Sequence, residues 1–264
     1  MVTRELGGQV DIVLSKTVAN LGFLERENAA ILNASILSFA RRTIASFQQP
    51  VRKLGLDCPV FITQNDGTIV SGEAASRLPI RTFASGPTNS MHGAAFLVDH
   101  QESSEAMIVV DIGGTTTDVG LLLANGFPRQ QAAYPELSGV RISFSCPDVK
   151  SIGLEGGSLV RKVDGRSEVG PESVGYQLSE KSLVYGGNVP TATDYVVAAT
   201  SVVVGDAEKI RGRLQQNDIQ DFETETRNML ERIIDAMKTT SEEISVLLVG
   251  GGAFIGPDEL KGAS

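Results

Sequence analysis

The sequence predicts an α/β fold, a mixed sheet with flanking helices. Three observations carry that expectation. Residues 106–110 are a continuous apolar run, as a strand buried on both faces requires, and 244–249 read as a strand that runs into three glycines. Residues 119–123 form a third run, reached after a short Gly/Thr segment, so that strand and return strand suggest an antiparallel hairpin. Residues 24–49 and 222–237 place apolar side chains at steps of three and four, the spacing of amphipathic helices. Strands mixed with helices make an α/β architecture.

In chain order, Ile31, Ala34, Leu37, Ala40, Ile44 and Phe47 mark one helix face, with Pro50 expected to kink or end the helix and Gly55 to stop it. Two short strands, 59–63 and 68–70, flank Asn65-Asp66-Gly67, a tight-turn sequence. Residues 80–83 read as a further short strand. Residues 91–98 read as a helix whose first turn can hold Pro87. The hydrophilic run 99–105 is the expected boundary, dividing the chain into 1–100 and 101–264. Beyond the hairpin, 194–204 reads as a buried helix with Thr193 as its cap. Phe222, Met229, Leu230, Ile233, Ile234 and Met237 mark the apolar side of another, and Asp221 to Glu231 its solvated side. The final strand, 244–249, runs into three glycines.

Composition narrows the function classes. A chain of 264 residues, 41% hydrophobic and 21% charged, can bury the core of one large or two small domains and is neither disordered nor a disulfide scaffold. With 23 Lys and Arg against 32 Asp and Glu, its net charge of -9 opposes a nucleic-acid backbone. Cys58 and Cys146 stand alone and read as reduced thiols, unable to build a metal cluster. The first residues lack the apolar core of a signal peptide, and no apolar stretch is long enough to cross a membrane. The expectation is a soluble, cytoplasmic chain.

The sharpest chemical signal is Asp111-Ile112-Gly113-Gly114-Thr115-Thr116-Thr117-Asp118-Val119-Gly120, at a strand-to-strand turn. Adjacent glycines let backbone amides approach a ligand, and the threonines add hydroxyl donors, a combination that suits phosphate oxygens. Without the Gly-Lys-Ser/Thr of a Walker loop, and with Asp111 and Asp118 bracketing the turn, phosphate would need a cation between, so Mg²⁺ is implied. The plainer alternative is a glycine turn with threonines chosen for strand propensity. Gly250-Gly251-Gly252, again at a strand end, would let a flat base or ribose lie on the backbone, but also suits any sharp turn. His92 and His100 have no metal-ligand spacing around them and read as ordinary structural residues. No Ser/His/Asp or Cys/His nucleophile arrangement is recognisable.

The threonine and glycine loops together resemble the second phosphate loop and the adenosine loop of the superfamily that includes actin, hexokinase and the heat-shock chaperone ATPase domain, whose lobes have a ribonuclease H-like fold. More narrowly, Ser85-Gly86-Pro87, Asp111 to Gly120, Gly153-Leu154-Glu155-Gly156-Gly157-Ser158, Val169-Gly170-Pro171-Glu172-Ser173 and Pro190-Thr191-Ala192-Thr193-Asp194 resemble, in order and spacing, the hydantoinase A/oxoprolinase family. That resemblance implies ATP-dependent opening of five-membered cyclic amides such as hydantoins and 5-oxoproline, or the chemistry of related ATP-dependent carboxylases. It also implies roles. Asp111 would organise Mg²⁺ and water, Gly113, Gly114, Thr115 and Thr116 would cradle the β- and γ-phosphates, Asp118 would steady the loop, and Gly250, Gly251 and Gly252 would face the adenosine of ATP. Asp111 and Asp118 are thus the catalytic candidates. Gly156, Gly157 and Ser158 are phosphate or substrate contacts or a tight turn, Asp194 a ligand contact or a helix cap, and Glu172 structural or exposed.

Three departures from the family pattern bear on function. Relatives carry an earlier Asp-x-Gly-Gly-Thr loop in an N-terminal lobe, and none precedes Asp111. Residues 1–100 are therefore expected to be a partial first lobe and connection, 101–264 the nucleotide-binding lobe, and a second chain a possible source of the missing lobe. Leu154 and Glu155 interrupt a small-residue stretch, and Phe254-Ile255-Gly256-Pro257 lacks the family's histidine. Two other classes remain beside the cyclic-amide hydrolase: a truncated, non-catalytic ATP-binding module, and a superfamily phosphotransferase.

Overall fold

A computed structural model describes residues 5, 10–19, 21–99, 105–131, 134–137 and 139–262. His100 and most of the hydrophilic run lie outside the described residues. The chain divides into two compact units, 1–89 with 128–148, and 90–127 with 149–264.

In the first unit, helix α1 (Leu24–Lys53) buries Ala29, Ala30, Asn33 and Leu37. Pro50 does not end it. Near a C-terminus the missing N–H costs a single bond, and the helix runs three residues further before Gly55 (φ +74°) turns the chain. The expected hairpin is present, as β1 (Phe61–Thr63) and β2 (Ile69–Ser71) pair antiparallel. Residues 80–83 are not a strand; Pro79–Arg81 form one turn of 3₁₀ helix. The reason is Asn65, buried in the hairpin turn. Its Nδ2 donates to Ile80 O at 3.1 Å, its N–H donates to Arg81 O at 2.6 Å, and its Oδ1 accepts from Ala84 N at 2.9 Å. Asn33 Oδ1 takes Ile80 N at 3.2 Å. With its backbone groups satisfied by side chains, the segment has no need of a strand partner. Val18, Ala29, Ala30, Ile80, Ile142 and Cys146 form this unit's core.

The second unit is built on a four-stranded mixed sheet. Strands β3 (Met107–Ile112) and β4 (Thr117–Leu122) form the expected antiparallel hairpin, β5 (Val149–Ile152) extends it antiparallel, and the last strand, which pairs with β3, is parallel to it. Next come an antiparallel hairpin, β6 (Ser158–Val163) and β7 (Arg166–Ser173), then helices α3 (Ala192–Ala199) and α4 (Gln216–Met237), and finally β8 (Ser245–Val249), that parallel strand. Residues 90–97 of helix α2 (Ser85–Leu97) also belong here.

Alternation along the strands divides their side chains between two faces. Ile108, Val110, Ile112, Val119 and Leu121 pack with Tyr195 and Val196 of α3 and with Phe222, Leu230, Ile233, Ile234 and Met237 of α4. Each fully buried side chain of this size contributes about 1.5–3 kcal/mol. Val109 and Leu122 face Met91, Ala94 and Ala95 of α2. Gly120 permits that contact, because a Cβ there would overlap Met91 Sδ. The α/β fold with a mixed sheet and flanking helices is therefore as the sequence predicts. Among the described residues, no helix is long and apolar enough to cross a membrane.

Helix α3 differs from expectation at both ends. It stops at Ala199 rather than 204, and Thr191, not Thr193, is its cap. The Asp194 carboxylate accepts from Thr191 N at 2.8 Å and from Thr191 Oγ1 at 2.9 Å, and takes Val184 N at 2.8 Å. Asp194 is thus the helix-capping acid, bound entirely to protein, while the Thr193 hydroxyl donates to Gly156 O at 2.8 Å.

Candidate active site

The threonine loop closes β3 onto β4. Asp111 and Asp118 occupy opposed positions of that pair, and Ser151 of β5 lies opposite Asp118. Opposed residues share a sheet face, so both carboxylates stand at the strand ends on the α2 side. Ser151 Oγ donates to Asp118 Oδ1 at 2.5 Å, and Thr116 Oγ1 reaches the same oxygen at 3.4 Å. Gly113 N donates to Thr116 O at 2.9 Å, which closes the turn with Gly114 and Thr115 exposed. Thr117 is buried, and its hydroxyl donates to Leu154 O at 2.6 Å.

The glycine run starts beside the threonine loop because β8 pairs with β3 in a register that sets Val249 against Asp111. Gly250 has φ +90°, and a Cβ there would overlap Asp111 Oδ1 and Ile112 O. Glycine is therefore a packing requirement at this position. Gly252 N donates to Ile112 O at 2.8 Å.

A cleft of about 990 Å³ joins these loops, lined by Gly113, Gly114, Thr115, Gly251, Gly252 and Phe254, and also by Glu155, Gly156, Gly157 and Ser173. Asp111, Thr116, Asp118 and Gly250 are not among its lining residues. Gly114 and Gly251 are informative. A Cβ on either would meet no protein atom within 4 Å, and neither has a positive φ. Protein packing does not demand glycine there; a side chain at either position would enter open space beside the cleft that both residues line.

Backbone amides and threonine hydroxyls around an open cradle can take an oxyanion such as phosphate. No Lys, Arg or His lines the cleft, so the balancing charge must come from elsewhere. Asp111 and Asp118 at the base of the loop could hold it. Among the described residues no group of three or more His, Cys, Asp and Glu could hold a metal by itself. Mg²⁺, however, commonly keeps several waters and takes one or two carboxylates together with substrate phosphates; Asp111 and Asp118 are two carboxylates beside the cleft but outside its lining, so they would hold it through water.

Residues 26–250 match the family model described as Hydantoinase/oxoprolinase. The chain belongs to that family. Its relatives include the acetophenone carboxylase gamma subunit of Aromatoleum aromaticum, 28% identical over 71% of this chain and 25% of that protein, and 5-oxoprolinase of Saccharomyces cerevisiae, 24% identical over 85% of this chain and 17% of that one. Among solved structures, nucleotide-free acetone carboxylase superposes with a TM-score of 0.70 at 19% identity, covering 96% of this chain and 39% of that one. The ATP-dependent caprolactamase of Pseudomonas jessenii gives 0.69 at 20% identity, covering 96% and 40%. These structures share the fold. The chain spans a quarter or less of the length of these two relatives.

Within this hydantoinase/oxoprolinase chain, the residue that sequence reasoning undervalued is Glu155. Its only signal was a charged residue in a stretch of small ones, which does not say where the side chain goes. It is 3% exposed and lines the cleft. Ser173 Oγ donates to its Oε1, and Ser158 Oγ accepts from its N–H at 2.8 Å. Burial pushes the Glu155 carboxyl above the usual glutamate range, opposed in part by a hydrogen bond from Gly157 N–H. Gly156 and Gly157 form a tight turn that also lines the cleft. Glu172 is exposed and ion-paired with Arg161. His92 makes an edge contact with the Phe127 ring, centroids 5.6 Å apart, an ordinary packing role.

Proposed function

We propose that this chain is the nucleotide-binding part of an ATP-dependent cyclic-amide hydrolase, with a five-membered ring such as a hydantoin or 5-oxoproline as substrate. The observation that supports it most is the cradle formed by the threonine and glycine loops, with Gly114 and Gly251 open to one cleft. Bound Mg·ATP would supply a phosphoryl group that, carried on the amide oxygen, makes the poorly electrophilic amide carbon open to attack by water; the ring C–N bond then breaks and a second water releases inorganic phosphate. Gly113, Gly114 and Thr115 orient the phosphate oxygens, with Thr116 closing their turn, and Gly251 and Gly252 receive the adenosine, with Gly250 packed beside them against Asp111. Asp111 positions Mg²⁺ and its water, and Asp118, anchored by Ser151, keeps the loop in register. In this reading 101–264 bind nucleotide, 1–100 are the remnant of a first lobe with its connection, and further sequence or a separate cytoplasmic chain supplies the opposing wall.

Thermal unfolding with and without Mg·ATP tests the binding step. Ligand at about a hundred times its dissociation constant adds about 2.7 kcal/mol of stability. That gain should vanish in Asp111→Ala while the fold, read by circular dichroism, persists. Equal gains in parent and variant would defeat the assignment of Asp111. Turnover of hydantoin or 5-oxoproline would then be assayed with the complementary lobe present. A carboxylase subunit is the second reading, favoured by the match to an acetophenone carboxylase subunit. ATP-dependent incorporation of labelled bicarbonate into a ketone, without ring opening, would select it.

A further inference from the structure

We propose that Glu155 binds the ligand as a neutral carboxylic acid, donating its O–H to an anionic oxygen of the nucleotide, so that binding takes up one proton from solvent. This rests on the nucleotide reading of the cleft. The argument begins with position. Thr117, the residue that ends the threonine loop, holds Leu154 O at 2.6 Å, and Thr193 N and Oγ1 hold Gly156 O at 3.0 and 2.8 Å. Glu155 is thereby fixed between the base of the threonine loop and the start of α3, as a residue of the cleft lining.

An ionised carboxylate offers only acceptors, as phosphate oxygens do. Two such groups side by side repel each other unless a cation or a proton intervenes. No side-chain cation is among the residues that line the cleft; on the element packed beside Tyr185, Lys209 is exposed and reaches Tyr185 O at 3.5 Å. On the threonine loop the charged groups are Asp111 and Asp118, both acidic. On α3, Asp194 is spent on Thr191 and Val184. On the segment after β7, Glu172 is turned to Arg161 and Tyr176 is exposed. In the short helix Leu178–Lys181, Glu180 and Lys181 are exposed and do not line the cleft; Tyr185 does. A proton on Glu155 resolves the conflict and converts a repelling group into a donor. Ser173 donates to Oε1 and Gly157 N–H to the same carboxyl; each carboxyl oxygen has two lone pairs, so there is still room for the proton. Burial has moved this carboxyl partway toward its neutral form before any ligand arrives, and an adjacent anion moves it further in the same direction.

The test is calorimetric titration of the whole chain with Mg·ATP, in buffers of different ionisation heat, above about pH 7, where the phosphates are themselves ionised. Parent, Glu155→Gln and Glu155→Ala are compared. The parent should take up as much as one proton per nucleotide, its Kd weakening by up to about tenfold per pH unit. Glu155→Gln, which mimics the neutral acid, should lose that uptake, bind with a Kd that no longer depends on pH, and bind more tightly than Glu155→Ala. Equal proton uptake in parent and Glu155→Gln would overturn the proposal. So would absent uptake in the parent with Glu155→Gln as weak as Glu155→Ala, since the carboxylate would then be acting as an ionised acceptor. If the parent binds no Mg·ATP at all, the nucleotide reading falls, and this inference with it.

Discussion

Gly114, Gly250 and Gly251 sit on adjoining loops, yet alanine should act on them in opposite ways. At Gly114 and Gly251 a Cβ meets no protein atom within 4 Å, and no positive φ stands in the way. Alanine there restricts the unfolded chain without straining the folded one, a gain of about 0.4–1 kcal/mol. For a chain of this size that raises Tm by roughly 1–4 °C. At Gly250, φ is +90° and the new Cβ overlaps both Asp111 Oδ1 and Ile112 O. The backbone conformation alone costs about 1–3 kcal/mol, and the overlap adds about 1–3 kcal/mol more, so Tm should fall by several degrees. Nucleotide binding separates the residues differently. The added methyl of Gly114→Ala or Gly251→Ala occupies cleft space, so each should lose most of the stabilisation that Mg·ATP gives the parent, about 2.7 kcal/mol at a hundredfold excess over Kd. Differential scanning fluorimetry with and without Mg·ATP measures both effects. The reasoning is refuted if Gly114→Ala and Gly251→Ala keep the full ligand-induced shift, or if either melts well below the parent without ligand.

Other consequences are open to simpler measurements. Asp194→Ala leaves Val184 N and Thr191 N without their buried acceptor and should cost about 2–4 kcal/mol; a urea midpoint equal to the parent's would count against the capping role. Burial pushes the Cys146 thiol up to about 12, whereas Cys58 is exposed. Iodoacetamide at mildly alkaline pH should therefore label Cys58 alone until denaturant is added, and rapid native labelling of Cys146 would contradict its burial. Because burial raises the folded-state pKa of Glu155 above its unfolded value of about 4.3, its contribution to stability is fully present below that pH. It is lost as pH rises through the folded value. Glu155→Gln should flatten that part of the stability–pH curve, and an unaltered curve would show that the carboxyl is not the titrating group.

What could be read from the sequence was what local pattern decides. Strands β3 and β4 announced themselves because strands covered on both faces need continuous apolar runs, β8 through a largely apolar run ending in glycines, and α4 through the spacing of Phe222, Leu230, Ile233, Ile234 and Met237. The turn at 80–83 could not be read, since it depends on Asn33 and Asn65, distant residues whose amides capture its backbone. The return of 128–148 to the first unit is likewise long-range. It shows in Asn28 Nδ2 donating to Arg141 O at 3.0 Å and in Ile142 joining Val18 in one core, and no neighbouring residue signals either. At the candidate site, both loops were recognisable as glycine-rich strand ends. Their convergence on one cleft is a product of the β8–β3 register, and the turn of Glu155 into it is a product of Thr117 and Thr193.

Those two threonines have a consequence for how the site can change. Both grip carbonyl oxygens of the main chain, Leu154 O and Gly156 O, and Ser158 Oγ takes the N–H of Glu155. The conformation of the turn is thus specified by its neighbours rather than by whatever residue stands at position 155. Such a mount behaves like a tool holder. A different side chain can be exchanged at one position by a single mutation, altering the chemistry offered to the ligand while the surrounding architecture, and most of its stability, carries over unchanged.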